Sequence, residues 1–170
     1  VKVVLKAICD IDEQRLNLMA TYFPVEKRYN NAYDLINDKE IDAVFVLVPT
    51  CDHKELTIAA CKAKKHVFVE KPLAFTDEDI VEMMKARDDN NVVVQPGLVF
   101  RSAPQIIYMK KYLEDNAERF GKLTNIIFRD SQEKPYTGLD SHRSTWRADY
   151  TKAHAGILFE HTIHDIDGLI

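Results

Sequence analysis

Glycine is scarce in this chain: five residues in 170, at positions 97, 121, 138, 156 and 168. No two of them are close enough to build a G-x-G-x-x-G turn, so the phosphate-cradling loop of a dinucleotide site is absent. No apolar run approaches the ~20 residues of a membrane helix. Nothing has the basic start, apolar middle and small-residue cleavage site of a signal peptide. Positive charge is not in excess either. A formal net charge of -4 excludes the global basic field that gathers nucleic acid. The three cysteines, Cys9, Cys51 and Cys61, are an odd number without metal-ligand spacing. They read as free thiols of a cytoplasmic protein rather than a disulfide framework. No internal repeat or low-complexity tract is found.

What is present is enough apolar sequence for one good core, or for parts of two. Residues 3–9 form a β-branched, apolar run that ends at Asp10. Residues 12–23 follow with near-helical spacing, closed by Pro24. Residues 31–36 read as a short helix with an Asn cap. Residues 43–48, Ala-Val-Phe-Val-Leu-Val, are continuously apolar, as in a strand inside a parallel sheet. A helix is expected over 52–64, with Asp52 and Glu55 spaced as a capping box, and another from Thr76, with Asp79, to about 88. Strands are expected at 67–69 and 92–95. This alternation predicts an α/β fold with a doubly wound parallel sheet, its helices on both faces. After Pro96-Gly97 the pattern changes. A helix is expected over 104–120, stopped by Gly121, then a strand at 123–128. A long polar, irregular stretch follows over 131–151, and a helix over 155–170. The boundary is placed at 97/98, dividing an incomplete dinucleotide-binding domain (1–97) from the beginning of a second, α+β domain (98–170).

His66-Val67-Phe68-Val69-Glu70-Lys71-Pro72 is a short buried strand that a proline must end. Lys71 therefore stands at the carboxyl end of a strand, the edge where open parallel sheets bind ligands. From spacing alone a solvated loop lysine is the commoner outcome. Asp10 ends the first strand, where an acid can meet a ribose 2′-OH. It can equally be an N-cap completed by Glu13. Toward the other end, Glu160, His164 and Asp167 are spaced to share one helix face, and a carboxylate beside an imidazole orients it and raises its proton affinity.

Taken together, these residues resemble the Gfo/Idh/MocA oxidoreductases, NAD(P)-dependent enzymes acting mostly on sugars and cyclitols. Glu70-Lys71-Pro72 is similar to the family's E-K-P signature. Ile8-Cys9-Asp10 and the 48–53 turn (Val-Pro-Thr-Cys-Asp-His) match in order, as do Gly97 to Pro104 with Arg101 inside, Trp146-Arg147, and His154 to Asp167. The resemblance runs along essentially the whole chain. It implies a partial Rossmann-type sheet whose first strand and glycine loop are cut away, and a second domain mostly missing. It implies that His164 takes a substrate hydroxyl proton while hydride passes to nicotinamide, that Glu160 orients substrate or His164, and that Lys71 steadies the developing oxygen charge. Cofactor binding would fall to Asp10, Pro49, Thr50, His53, Glu70, Lys71, Trp146 and Arg147. Substrate binding would fall to Lys71, Arg101, Glu160, His164 and Asp167, with no metal. The implied partners are a small polyol or sugar and other copies of the chain, with neither nucleic acid nor membrane.

Several departures stand out. Glu160 replaces the more usual Asp, His154-Ala155 and Thr162 replace glycines, and His161 is an addition. Asp10 predicts NAD over NADP, because a carboxylate repels a 2′-phosphate, and Ile11 offers no arginine for one. Three alternatives stay open. One is a non-catalytic NAD(P)-binding sensor of the same fold, and a second is an NAD-dependent glycosidase. The third is a metal-dependent hydrolase built on Glu160, His161, His164, Asp165 and Asp167. Without its first strand the chain is expected to bind NAD weakly or not at all, and to show a gap, a closed-up sheet or a filling partner between the strands at 3–9 and 43–48.

Overall fold

The computed structural model describes residues 3–127, 129, 146, 149–154 and 159–169. Five short strands alternate with helices: β1 (Ala7–Cys9), α1 (Glu13–Tyr22), β2 (Lys27–Tyr29), α2 (Ala32–Asn37), β3 (Ala43–Val46), α3 (Thr50–Lys62), β4 (His66–Val69), α4 (Asp77–Asn90) and β5 (Val94–Pro96). Every pairing is parallel. β1 pairs with β2, Ile8 opposite Arg28. β4 lies between β3 and β5, with Phe68 opposite Phe45 on one side and Gln95 on the other. The two groups form separate sheets, β1-β2 and β3-β4-β5. β1 and β3 are not hydrogen-bonded to each other, although Ala7 of β1 packs against the core of the larger sheet.

The core lies on one face of the larger sheet. Val44, Val46, Val67 and Val69 point to it and pack with Ala60 and Cys61 of α3 and Met83 and Ala86 of α4. Alternation along a strand sends their neighbours to the opposite face. There Phe45 is 64% exposed and Leu47 63%, with Phe45 stacked on Phe68 at 5.2 Å between centroids. The all-apolar run at 43–48 was expected to be covered on both faces. Among the described residues it is covered on one.

Local chemistry sets the helix starts. Asp12, not Asp10, caps α1, its carboxylate accepting from the Gln14 and Arg15 amides. This corrects the capping alternative for Asp10 and leaves that residue at the strand end. Asn31 caps α2 as expected. The expected capping box on α3 is not formed. The helix starts two residues earlier, with Pro49 at the cap position and no side-chain cap, and Asp52 falls inside the first turn. Glu55 turns instead to the Tyr33 hydroxyl. Thr76 does cap α4, its hydroxyl accepting from the Asp79 amide at 3.2 Å. Thr76→Ala is expected to cost about 1 kcal/mol of stability, the usual worth of such a cap, measurable by urea denaturation.

β2 was not anticipated, because Lys27 and Arg28 mask it. Its edge is anchored by side chains: Lys27 reaches Asp38 at 2.6 Å and Glu40 at 2.7 Å, and the Tyr29 hydroxyl donates to Asp38.

Beyond β5 a 3-10 turn (Val99–Ser102) leads into α5 (Pro104–Asp115) and α6 (Ala117–Phe120). The helix expected over 104–120 is broken at Asn116, and Gly121 ends it with φ +72°. Residues 123–127 form no strand, contrary to expectation. Leu123 and Ile127 are exposed, and a strand without a neighbour leaves its backbone groups unpaired. Residues 131–145 lie outside the described residues, so the irregular stretch is seen only at its end, where α7 (Tyr150–Ala153) forms. Of the helix expected over 155–170, α8 (Thr162–Leu169) is described. No helix among the described residues is long and apolar enough to cross a membrane.

Candidate active site

Of the residues singled out in the sequence, Pro49, Thr50, His53, Glu70, Lys71, Glu160 and His164 come together at the carboxyl ends of β3 and β4. The turn after β4 is held from two sides. The Glu70 amide donates to Val46 O at 3.0 Å and the Gly97 amide to Val69 O at 2.8 Å, which locks the strand ends together. A Cβ on Gly97 would stand 3.1 Å from Glu70 Oε2 and 3.2 Å from its Cα, so glycine there lets the chain after β5 pass close to Glu70. The Glu70 carboxylate folds back to accept from the Lys71 amide. The following peptide, Lys71–Pro72, is cis.

His53 is 1% exposed. Its ring sits between two main-chain oxygens, Pro72 O at 2.7 Å from Nδ1 and Val48 O at 3.0 Å from Nε2. It ties the turn after β3 to the turn after β4 and is closed off from solvent. Thr50, the first residue of α3, is likewise buried, and its hydroxyl donates to Glu160 Oε1 at 3.1 Å. Pro49 precedes it, half-buried.

Glu160 comes from the far end of the chain and is 2% exposed. Its main-chain oxygen accepts from Lys71 Nζ. One residue therefore contacts both the α3 start and the lysine after β4. His164, on the first turn of α8, is half-buried and its ring stacks on Phe100 at 4.7 Å and 28°. Burial pushes its pKa below the ordinary 6.5, and the Lys71 charge pushes the same way. Both effects favour the neutral imidazole. Its Nδ1 is buried with no hydrogen-bond partner among the described residues, as is Asp167 Oδ2.

Arg101 and Asp167, both assigned to substrate from the sequence, are brought to each other. Arg101 Nε donates to Asp167 Oδ1 at 2.6 Å and the same guanidinium reaches it through Nη2 at 2.5 Å. Asp10 lies apart, at the end of β1, with Oδ1 accepting from the Asp12 amide at 2.9 Å. Its Oδ2 stands 3.6 Å from Arg15 of α1, a cation that local sequence reasoning at position 11 could not find. Trp146 is half-buried, its carbonyl accepting from the Asp149 amide. Arg147 lies outside the described residues.

Three ring contacts were missed as well. Besides Phe100 on His164, His154 stacks against Phe75 at 3.7 Å and 7° and against Tyr150 at 5.6 Å. His154 adopts φ +49°, the left-handed region in which its backbone position resembles a glycine's. No group of three or more His, Cys, Asp or Glu side chains comes together as a metal site among the described residues.

Parallel strands joined by helices, with a lysine, a buried carboxylate and a half-buried histidine near the strands' carboxyl ends, define an α/β protein with parallel sheets. The family model "Oxidoreductase family, NAD-binding Rossmann fold" (GFO_IDH_MocA) matches residues 2–98, and the chain belongs to that family. It is 34% identical to the myo-inositol 2-dehydrogenase of Thermotoga maritima over 164 residues, 96% of this chain and 46% of that protein. It is 30% identical to the levoglucosan dehydrogenase of Pseudarthrobacter phenanthrenivorans over 164 residues, 96% of this chain and 41% of that protein. Among solved structures, a levoglucosan dehydrogenase in complex with NADH and levoglucosan superimposes with TM-score 0.77 at 30% identity, covering 97% of this chain and 44% of that one. A myo-inositol 2-dehydrogenase from Lactobacillus plantarum gives 0.78 at 32% identity, covering 98% and 48%. The chain spans less than half the length of these curated relatives.

Proposed function

We propose that the protein oxidises a hydroxyl of a sugar, sugar derivative or cyclitol by hydride transfer to NAD, with residues 1–97 contributing to the cofactor site and residues 98–170 opening the substrate domain. The observation that carries this reading is the meeting of Lys71, Glu160 and His164 at the carboxyl end of β4. The donor set suits a nicotinamide dinucleotide at both ends. Asp10 offers a half-buried carboxylate at the end of β1 for a ribose diol, and Glu70, Lys71 and His164 stand at the end of β4. Its phosphates have no glycine cradle among the five glycines of this chain. When bound, the nicotinamide supplies the hydride acceptor.

In this mechanism His164 Nε2 receives the proton of the substrate hydroxyl. Burial and the Lys71 charge favour its unprotonated form, the one that can take this proton. Lys71 holds positive charge beside the substrate oxygen as it becomes a carbonyl, drawing proton and hydride departure together. Glu160 links Lys71 to the start of α3 through Thr50 and fixes the distance between the two halves of the site. Pro49, Thr50 and His53 shape the cofactor edge from behind, and Trp146 and Arg147 are further cofactor contacts by family resemblance. The enzyme works in the cytoplasm, where its three free thiols stay reduced. The whole protein assembles as a homo-oligomer.

The test is to supply the purified full-length protein with NAD or NADP and a panel of cyclitols and sugars, following reduced cofactor by absorbance. Reduction of NAD by a polyol, with NADP the poorer cofactor because of Asp10, is the expected result. Clear NAD binding without turnover of any polyol would replace the dehydrogenase by a sensor of the same fold.

A further inference from the structure

We propose that Phe100 is a positioning residue: with Arg101 it clamps α8 at two points and sets the ring plane of His164. This rests on the role of His164 proposed above. The clamp begins at a fixed base. The 3-10 turn Val99–Ser102 grows directly from Gly97, whose amide is bonded to Val69 O and whose missing side chain leaves room for Glu70. Its first bond, Val99 N to Gly97 O at 2.9 Å, ties the turn to the same strand end that carries Lys71.

Two consecutive side chains of the turn then reach α8. The Phe100 ring lies on His164, and the Arg101 guanidinium grips Asp167, whose side chain is 5% exposed. His164 and Asp167 are three residues apart, so they share one helix face. One contact would leave the helix free to rotate about it. Two contacts a turn apart remove that rotation. The ring plane of an imidazole is ordinarily set by a hydrogen bond at the nitrogen not engaged in chemistry. Here His164 Nδ1 has no such partner among the described residues. The stack with Phe100 takes the place of that bond.

The charged and titratable groups around the imidazole are Lys71 and Glu70 from the turn after β4, and His161 and Asp165 from its own segment. The Arg101 charge is matched by Asp167. Phe100 adds no charge. It contributes burial, the largest reason that the imidazole resists protonation.

The experiment is an NMR titration of the His164 ring in the wild type, Phe100→Leu and Phe100→Tyr, together with the pH dependence of kcat/KM. Phe100→Leu is expected to raise the His164 midpoint, to move the acid limb of the kcat/KM profile to higher pH by the same amount, and to lower kcat about 2- to 10-fold, the worth of one aromatic contact. Phe100→Tyr, which keeps the stack, restores both midpoint and kcat. Phe100→Met serves the same comparison should the leucine variant fold poorly. A His164 midpoint unchanged in folded Phe100→Leu and Phe100→Met overturns the proposal. The ring titration reads positioning without turnover, whereas full activity in His164→Gln would instead sink the catalytic reading.

Discussion

His164→Gln is expected to lower kcat by about 10²–10⁴, the range for losing a positioned general base. Glutamine keeps the approximate shape and a polar end but takes no proton at neutral pH. The ring is half-buried against Phe100, and burial with the nearby Lys71 charge holds its pKa below 6.5. The sign of the pH effect follows. The base must be unprotonated, so wild-type kcat/KM falls as pH drops through the depressed His164 pKa and is flat above it. In His164→Gln that acid limb should vanish along with most of the rate. Steady-state kinetics from pH 4.5 to about 8 check this. A variant within a fewfold of wild type, or one that keeps the same limb, would assign the proton to another group.

Lys71→Met is expected to cost about 10²–10³ in kcat, as for removal of one preorganised electrostatic stabiliser. Methionine is close in length and apolar, so packing along the stem is largely kept. Two things go: the charge beside the reacting oxygen and the bond from Nζ to the Glu160 carbonyl. Since the Lys71 charge helps to depress the His164 pKa, the acid limb should also move to higher pH. NAD affinity, measured by calorimetry, should change far less than kcat. A single-turnover hydride-transfer rate within twofold of wild type would leave Lys71 a purely structural link between the two halves of the site.

Much of this was legible in the chain order. The run 66–72 needed only a proline and a β-branched core to be read as a strand with a lysine at its end, and β4 with Lys71 stands there. Thr76 and Asn31 acted as caps because capping is local: the side chain reaches an amide two or three residues away. Where local rules failed, a distant contact decided. The Asp52–Glu55 pair lost its capping role because α3 begins at Thr50, in the turn that His53 ties to Pro72, and Glu55 found Tyr33 instead. β2 was hidden because its stability lies in Asp38 and Glu40, some ten residues on.

The sequence by itself determined the alternation of strands and helices and the lack of a glycine loop among these residues, which follow from short-range periodicity and composition; it offered Asp10, Lys71, Glu160 and His164 as candidates, which the family resemblance singled out. Tertiary structure alone decided the partners. Arg101 meets Asp167 across 66 positions, Thr50 meets Glu160 across 110, and Arg15 comes beside Asp10. It also decided that β1 and β3 are not paired with each other and that, among the described residues, the Phe45 face stays open. Such pairings depend on how packed elements converge in space. A guanidinium finds the carboxylate that burial has stripped of water, wherever in the chain that carboxylate lies.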